Sequence, residues 1–401
     1  WGYCGETVVY GHQRPDRLET CVVFWDVKLE EVYIKHVKNL LLIGSCGDYS
    51  VIINRADDPT GQYLLQLCNG IGTPVDFKYV DLQPCFVGMN SSHVIVASQE
   101  AFMLWNYNVP RKMATAVRTG QAAADQARAT QRETVYHIDE IVSENSDAAT
   151  DLRKRTMDPI CCVCATERHF IMGRESGVIQ KYSLPNAVLQ HKYTLNTRPE
   201  KLALNSSGNR LAVINSLGVL HFYDLEGGLA RQVGGFERKD VWNMQWDPEN
   251  DQMLAIMEKT RMFVLRGTEP EEPVVNSGYI CRIKDLTVRT VLLDELMKNP
   301  ENPTKDLVVD IEIKSLRDAK QLLEKMNIQE ATAFIEKNSH PKLWALLAEV
   351  ALNQMDTATA EHAFVKLKDY AGIQFVKKVN NIQSEVLKRA EVASYFGRFD
   401  E

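Results

Sequence analysis

The residues with the most chemical potential are three thiols in one run, Cys161-Cys162-x-Cys164, because two sulfurs at CxxC spacing can share a soft metal ion or cycle through a disulfide. No second CxxC and no HxxxH supplies the remaining ligands of a zinc set, and the run is otherwise apolar. These cysteines therefore read as structural thiols within a strand. The turn Gly70-Ile-Gly72-Thr-Pro74 could cradle a phosphate, yet neither a P-loop nor a strand followed by GxGxxG surrounds it, and a tight turn between strands accounts for it. The carboxylate pairs Asp139-Glu140 and Glu271-Glu272 lack a neighbour that would shift a pKa. No GxSxG elbow and no HExxH occurs, and the histidines are dispersed without helical metal-ligand spacing. Catalytic, cofactor-binding and metal residues are all expected to be none, and no cofactor is expected.

The elements that could position a site have to come from the whole chain of 401 residues, a length that suggests two or three domains. Apolar residues make up 45% and charged residues 25%, ordinary values for a globular protein. The longest uncharged apolar stretches, such as Asn39 to Cys46, fall short of the ~20 residues that span a bilayer, so no direct membrane insertion is expected. The net charge of −7 argues against a nucleic-acid partner, whose phosphates demand a basic face. The one basic knot, Arg153-Lys154-Arg155, reads as a solvated loop. Nine cysteines scattered through apolar segments suggest reduced, buried thiols, which discounts the sequons at Asn90 and Asn205. Trp1 in place of an initiating Met leads to the expectation that the chain is a piece of a longer one.

Periodicity organises the chain. Segments 158–184, 198–225 and 239–267 can be laid over one another with starts about 40 residues apart, the spacing of propeller blades. Each alternates apolar runs with polar turns such as Ser206-Ser-Gly208 and Asp247-Pro-Glu-Asn250, which predicts a strand meander with one face of each strand inward. Weaker copies precede them; Val22-Val-Phe-Trp25-Asp26 has the apolar-apolar-Trp-Asp ending of a WD repeat. Residues 110–157 are set apart by their Ala, Gln, Arg, Asp and Ser content and read as an insertion between blades, helical in part around Ala114 to Arg132 and otherwise a mobile spacer. Setting them aside leaves roughly six blades at ~42 residues each. The propeller is then either six-bladed or incomplete at its start, and six to seven blades, with the first one missing in the incomplete case, is the expected range.

After Asp310 the apolar spacing changes to a helical period. Trp344, Leu347, Ala348, Ala360 and Phe364 fall at the spacing of a tetratricopeptide repeat, in which small residues let paired helices approach while Trp and Phe fill the seam. Ala351 and Gly372 depart from the usual aromatic and Pro, so the repeat is degenerate. Another helix is expected from Asn381 to Phe396, and an array that stops at Glu401 without a polar cap again suggests a piece of something longer. The expected domains are a β-propeller over 1–312 and the start of an α-solenoid of tetratricopeptide-like repeats over 313–401.

Several words along the chain are more specific than repeat consensus: Trp1-Gly-Tyr-Cys4, Cys21-Val-Val-Phe-Trp-Asp26, Gly173-Arg-Glu-Ser-Gly177, Met257-Glu-Lys-Thr-Arg-Met262, Ser277-Gly-Tyr-Ile-Cys281 and Asp369-Tyr-x-Gly-Ile-x-Phe-Val-Lys377. In these the chain resembles the family of WD repeat-containing protein 35, also called intraflagellar transport protein 121. The resemblance implies two propellers in tandem before a helical-repeat tail, with this chain covering the second propeller less its opening blade. It also implies a non-enzymatic scaffold subunit of intraflagellar transport complex A that supports retrograde transport, passage of membrane proteins into cilia and cilium assembly. Implied partners are the WD-repeat and tetratricopeptide sister subunits, small adaptor subunits and ciliary cargo adaptors. Implied locations are the cytoplasm, cilium or flagellum, basal body and cytoskeleton. The solenoid 313–401 is the favoured interaction surface. Two other readings stay open: a coatomer-like vesicle-coat subunit, which needs a basic cluster on one propeller face, and a peptide-reading propeller, which needs several arginines converging at the central channel.

Overall fold

A computed structural model of the chain describes residues 1–14, 20–57, 61–107, 135–137, 158–325 and 327–398. It divides into two compact units, one of Trp1–Arg282 with Arg289–Val309 and the other of Ile283–Val288 with Asp310–Glu401.

The described residues form seven antiparallel sheets, each a meander in chain order. Their first strands are Gly2–Cys4, Leu40–Cys46, Phe86–Met89, Ile160–Ala165, Pro199–Leu204, Val241–Trp246 and Tyr279–Lys284. From the first blade to the sixth, each first strand adjoins the next, so these strands line the axis of a seven-bladed β-propeller. Seven blades is the upper end of the expected range, and the option of a missing opening blade is corrected. The opening blade is present, formed by Gly2–Cys4, Thr7–Gln13, Thr20–Asp26 and Glu31–Val37. Counting by a length of ~42 residues gives the lower end of that range because the seventh sheet has only three strands among the described residues, ending in Val308–Glu312. The stretch 110–157 is not wholly an insertion either, since Val135–His137 pairs with Ala101–Met103 as the outer strand of blade 3. The helix expected at Ala114 to Arg132 and the Arg153-Lys154-Arg155 knot lie outside the described residues.

The second strands are buried on both faces rather than on one, as in His93–Ala97, where every residue is buried. The reason is packing between blades. One core cluster joins Val51, Ile53 and Leu65 of blade 2 to Val94, Val96 and Trp105 of blade 3, and another joins Ile171 and Tyr193 of blade 4 to Leu211 and Val213 of blade 5. A single blade cannot cover either face, so the ring is the stable unit.

The ring closes between its first and last blades. Trp25, 1% exposed, packs with Val8, Tyr10, Val23, Val291 and Leu296. Glu6 accepts from Arg282 at 2.5 Å and from Arg289. Burial pushes the Glu6 carboxyl up, but the two guanidiniums outweigh it and hold it below the usual carboxylate range. Tyr10 adds a hydroxyl bond of 2.6 Å to the Pro300 carbonyl.

The second unit holds six helices among its described residues: α1 (Lys314–Glu324), α2 (Ile328–Lys337), α3 (Pro341–Asn353), α4 (Thr357–Leu367), α5 (Tyr370–Asn380) and α6 (Glu385–Tyr395). Side-chain caps set their starts. Asn327, His340, Asp356 and Asp369 each accept a backbone N–H from the first turn of the helix that follows, and Pro341 stands where its missing donor costs nothing.

Candidate interaction surfaces

The side chains singled out in the sequence do structural work. Asp26 Oδ1 accepts the amides of Lys28 and Leu29 at 2.9 and 2.8 Å, heading the turn after the strand that carries Trp25. Leu347, Ala348, Ala351, Ala360 and Phe364 are buried in the α3–α4 pair. Trp344, 3% exposed, donates its indole N–H to Ser339 Oγ at 2.9 Å, meets His362 edge-on and lies 5.8 Å from the Lys366 ammonium. Gly372, the departure from Pro, has a steric cause. A Cβ there would stand 2.3 Å from Cδ1 of Phe364, so only glycine lets α5 lie against that ring.

The helices leave Val365 (52% exposed) and Tyr370 (72%) in solvent, large apolar groups beside buried seams. Such residues on a solenoid offer a partner area without disturbing the core.

At the axis, four of the first strands carry the same register shift near their start, between Leu40 and Leu42, Ile160 and Cys162, Pro199 and Lys201, and Val241 and Asn243. The extra residues are Leu41, Cys161, Glu200 and Trp242. A bulge re-aims a side chain, and these four come to one end of the axis because the strands repeat in one direction. Trp242 meets Tyr279 edge-on at 4.8 Å, and Tyr279 meets Trp1 at 5.6 Å. Cys161, Cys162, Glu200 and Lys201 border a cavity of about 380 Å³ with Phe86 and Met244. Among the described residues that line it there is no arginine, and the Lys201 ammonium is taken up by the Trp242 carbonyl at 2.7 Å. The arginine cluster required of a peptide-reading channel is therefore not formed at this cavity.

The bulge also explains the thiols. It brings Cys161 Sγ to 3.9 Å from Cys162 Sγ, although neighbours in a regular strand point to opposite faces. The contact with Cys162, helped by the Arg198 charge, holds the Cys161 thiol below its ordinary range, while the same contact and burial push Cys162 up. Burial also raises Cys164. Among the described residues no group of three or more His, Cys, Asp or Glu is placed to hold a metal ion.

The turn Gly70-Ile-Gly72 is headed by Asn69, whose Oδ1 already accepts the amides of Ile71 and Thr73, which takes those donors from any phosphate. Glu271 accepts from Arg266 at 2.6 Å; Asp139 and Glu140 lie outside the described residues. Both sequon asparagines are buried latches between blades. Asn90 Nδ2 donates to the Thr166 carbonyl of blade 4 at 2.8 Å, and Asn205 Nδ2 to the Asp251 carbonyl of blade 6 at 3.1 Å. Their role is missing from the sequence reading, although the shared Asn-Ser-Ser turn in two blades was a signal for it.

With this geometry established, the chain was compared with known proteins. The family model described as WDR35 second beta-propeller matches residues 1–312, and the one described as IFT80/172/WDR35/WDR19 TPR domain matches 343–401. WD repeat-containing protein 35 of Rattus norvegicus is 50% identical over 412 residues, covering 100% of this chain and 35% of that protein; the Homo sapiens protein of that name is 49% identical over 423 residues, covering 100% and 36%. The chain thus spans about a third of the length of the curated relatives it matches. Among solved structures, the Cps50 (Swd1) propeller domain from Myceliophteria thermophila aligns with a TM-score of 0.46 and 13% identity, covering 73% of this chain and 93% of that one.

Proposed function

The chain belongs to the WD repeat-containing protein 35 family, and from that premise we propose that it is a non-enzymatic scaffold segment of the intraflagellar transport machinery, specifically of complex A. The observation that carries this reading is the pairing, in one chain, of that family's second propeller with a helical repeat shared by intraflagellar transport proteins. A ring of blades latched by buried asparagines and a capped helical array present rigid surfaces, which is what a scaffold needs. Its work is geometric: it holds sister subunits at fixed spacing, supporting retrograde transport, passage of membrane proteins into cilia and cilium assembly. The domain boundary falls near residues 312–313, and the helices beyond it carry the assembly surface, with Val365 and Tyr370 as its apolar contacts. Partners are sister WD-repeat and tetratricopeptide subunits, small adaptor subunits and ciliary cargo adaptors, at the cilium and basal body and in the cytoplasm and cytoskeleton. Co-purification of the tagged full-length protein from ciliated cells tests the reading. Recovery of intraflagellar transport subunits is expected; recovery of coatomer subunits in their place would overturn it.

A further inference from the structure

The bulge in the first strand of blade 4 gives two neighbouring cysteines a contact that a regular strand withholds. Cys161 and Cys162 turn their sulfurs to the same side, 3.9 Å apart. Both thiols also reach one acceptor, the Pro199 carbonyl of the adjoining blade, with Cys161 donating at 3.2 Å and Cys162 at 3.8 Å. Gly173 on the next strand keeps room for the pair, since a Cβ there would stand 2.6 Å from Cys162 Sγ. The two therefore form a dithiol rather than two independent core residues.

Their surroundings assign them different roles. Cys161 is partly exposed and borders the axial cavity of about 380 Å³, which is roomy enough to admit water-sized molecules. Cys162 is 6% exposed and packs in the core with Ile171, Ile179 and Leu202. The contact with Cys162, helped by the Arg198 charge, favours ionisation of Cys161, whereas the same contact and burial keep the proton on Cys162. An accessible thiol that ionises readily, set beside a second thiol, is the arrangement in which oxidation of the first is resolved by the second.

From this juxtaposition we propose that Cys161 and Cys162 are a peroxide-responsive site, oxidised reversibly to a disulfide between the two neighbours. Cys161, as thiolate, attacks one oxygen of hydrogen peroxide: the O–O bond breaks, an S–O bond forms, and the displaced hydroxide becomes water with a proton from solvent. Cys162 Sγ then attacks that sulfur: the S–O bond breaks, the S–S bond forms, and the leaving hydroxide takes the Cys162 proton as a second water. Two electrons pass from the sulfur pair to the peroxide. Adjacent Cα atoms lie about 3.8 Å apart, below the roughly 4.4–6.8 Å usual across a disulfide, so the bond is of the strained, easily reduced kind. An external dithiol returns it to two thiols by exchange.

Peptide mass spectrometry of the full-length chain, after brief treatment with hydrogen peroxide and alkylation of the remaining thiols, tests this. The peptide that holds Cys161 and Cys162 should be lighter by two hydrogens and unalkylated at both, before Cys46 or Cys85 is oxidised, and dithiothreitol should restore both thiols. In Cys162→Ser the oxidised Cys161 has no resolving thiol, so its sulfenic acid, trapped with dimedone, should rise about tenfold over wild type. Cys164→Ser should form the disulfide as wild type does. The wild-type measurement decides the matter even where a variant fails to fold. A wild-type Cys161 that proceeds to the sulfinic acid instead of the disulfide, a disulfide from Cys161 to Cys164 or to a second chain, or oxidation of Cys161 no faster than that of Cys46 and Cys85 would each overturn the proposal.

Discussion

Trp344→Ala isolates the tetratricopeptide seam. The indole is 3% exposed, and a Trp side chain buries ~150–250 Å². At about 25 cal/mol per Å² that is roughly 4–6 kcal/mol, an upper bound because the unfolded chain already hides part of that area. The bond to Ser339 adds about 1 kcal/mol and the exposed Lys366 contact about 0.5 kcal/mol, while collapse of α4 into the space recovers some of the loss. A cost of about 4 kcal/mol is expected. Helical repeats are coupled chiefly to their neighbours, so the loss should be read in α3–α5. Native-state hydrogen exchange is the assay. Amides from Pro341 to Asn380 should exchange up to about a thousandfold faster, with protection in blades 4 to 6 unchanged. Equal loss of protection in the blades would refute the reasoning, because the helices and the ring would then open as one unit.

Three other outcomes follow from particular contacts. Gly372→Ala places a methyl 2.3 Å from the Phe364 ring and should lower the stability of the helical unit by about 1–3 kcal/mol in urea titration; a neutral result would mean that α5 does not rest on that ring. Because the Glu6 pKa is depressed in the folded state, its stabilisation is present above the usual carboxylate range and is lost as pH falls through the folded value. Glu6→Gln should therefore melt lower than wild type at neutral pH, by about 1 kcal/mol or less since the carboxylate is 35% exposed, and converge with it in acid; a gap that is constant with pH would contradict this. Cys161, held thiolate-ward at the edge of the axial cavity, should be the first of the nine cysteines alkylated by iodoacetamide in the native protein, as read by peptide mass spectrometry, and earlier labelling of Cys46 or Cys85 would count against it.

Much of the architecture was legible because it rests on local pattern. Blades 4, 5 and 6 each repeat three inner strands of six or seven residues, and Trp344, Leu347, Ala348, Ala360 and Phe364 fall at intervals set by two packed helices. What escaped depends on contacts far apart in the chain. The outer strand of blade 3 begins at Val135, well after its partner ends at Asn106, so no periodicity links the two. The closing contacts of Glu6 with Arg282 and Arg289 join opposite ends of the propeller, which is why the opening blade could be thought missing. Cys161 and Cys162 share a side only because a bulge adds a residue, a matter of ladder register that composition does not encode. Gly372 looked like a lapse from consensus until the Phe364 ring was seen to occupy the space of its side chain.

The central claim is that this segment works by holding partner subunits on its helical surface, and a surface variant tests it most directly. Val365→Asp with Tyr370→Asp changes two solvent-exposed positions and should leave both units folded. Quantitative mass spectrometry of subunits recovered with the tagged full-length protein from ciliated cells should show sister intraflagellar transport subunits lost from the double variant and kept by wild type. Equal recovery by both would contradict the assignment of the assembly surface, and coatomer recovered by wild type would contradict the scaffold reading itself.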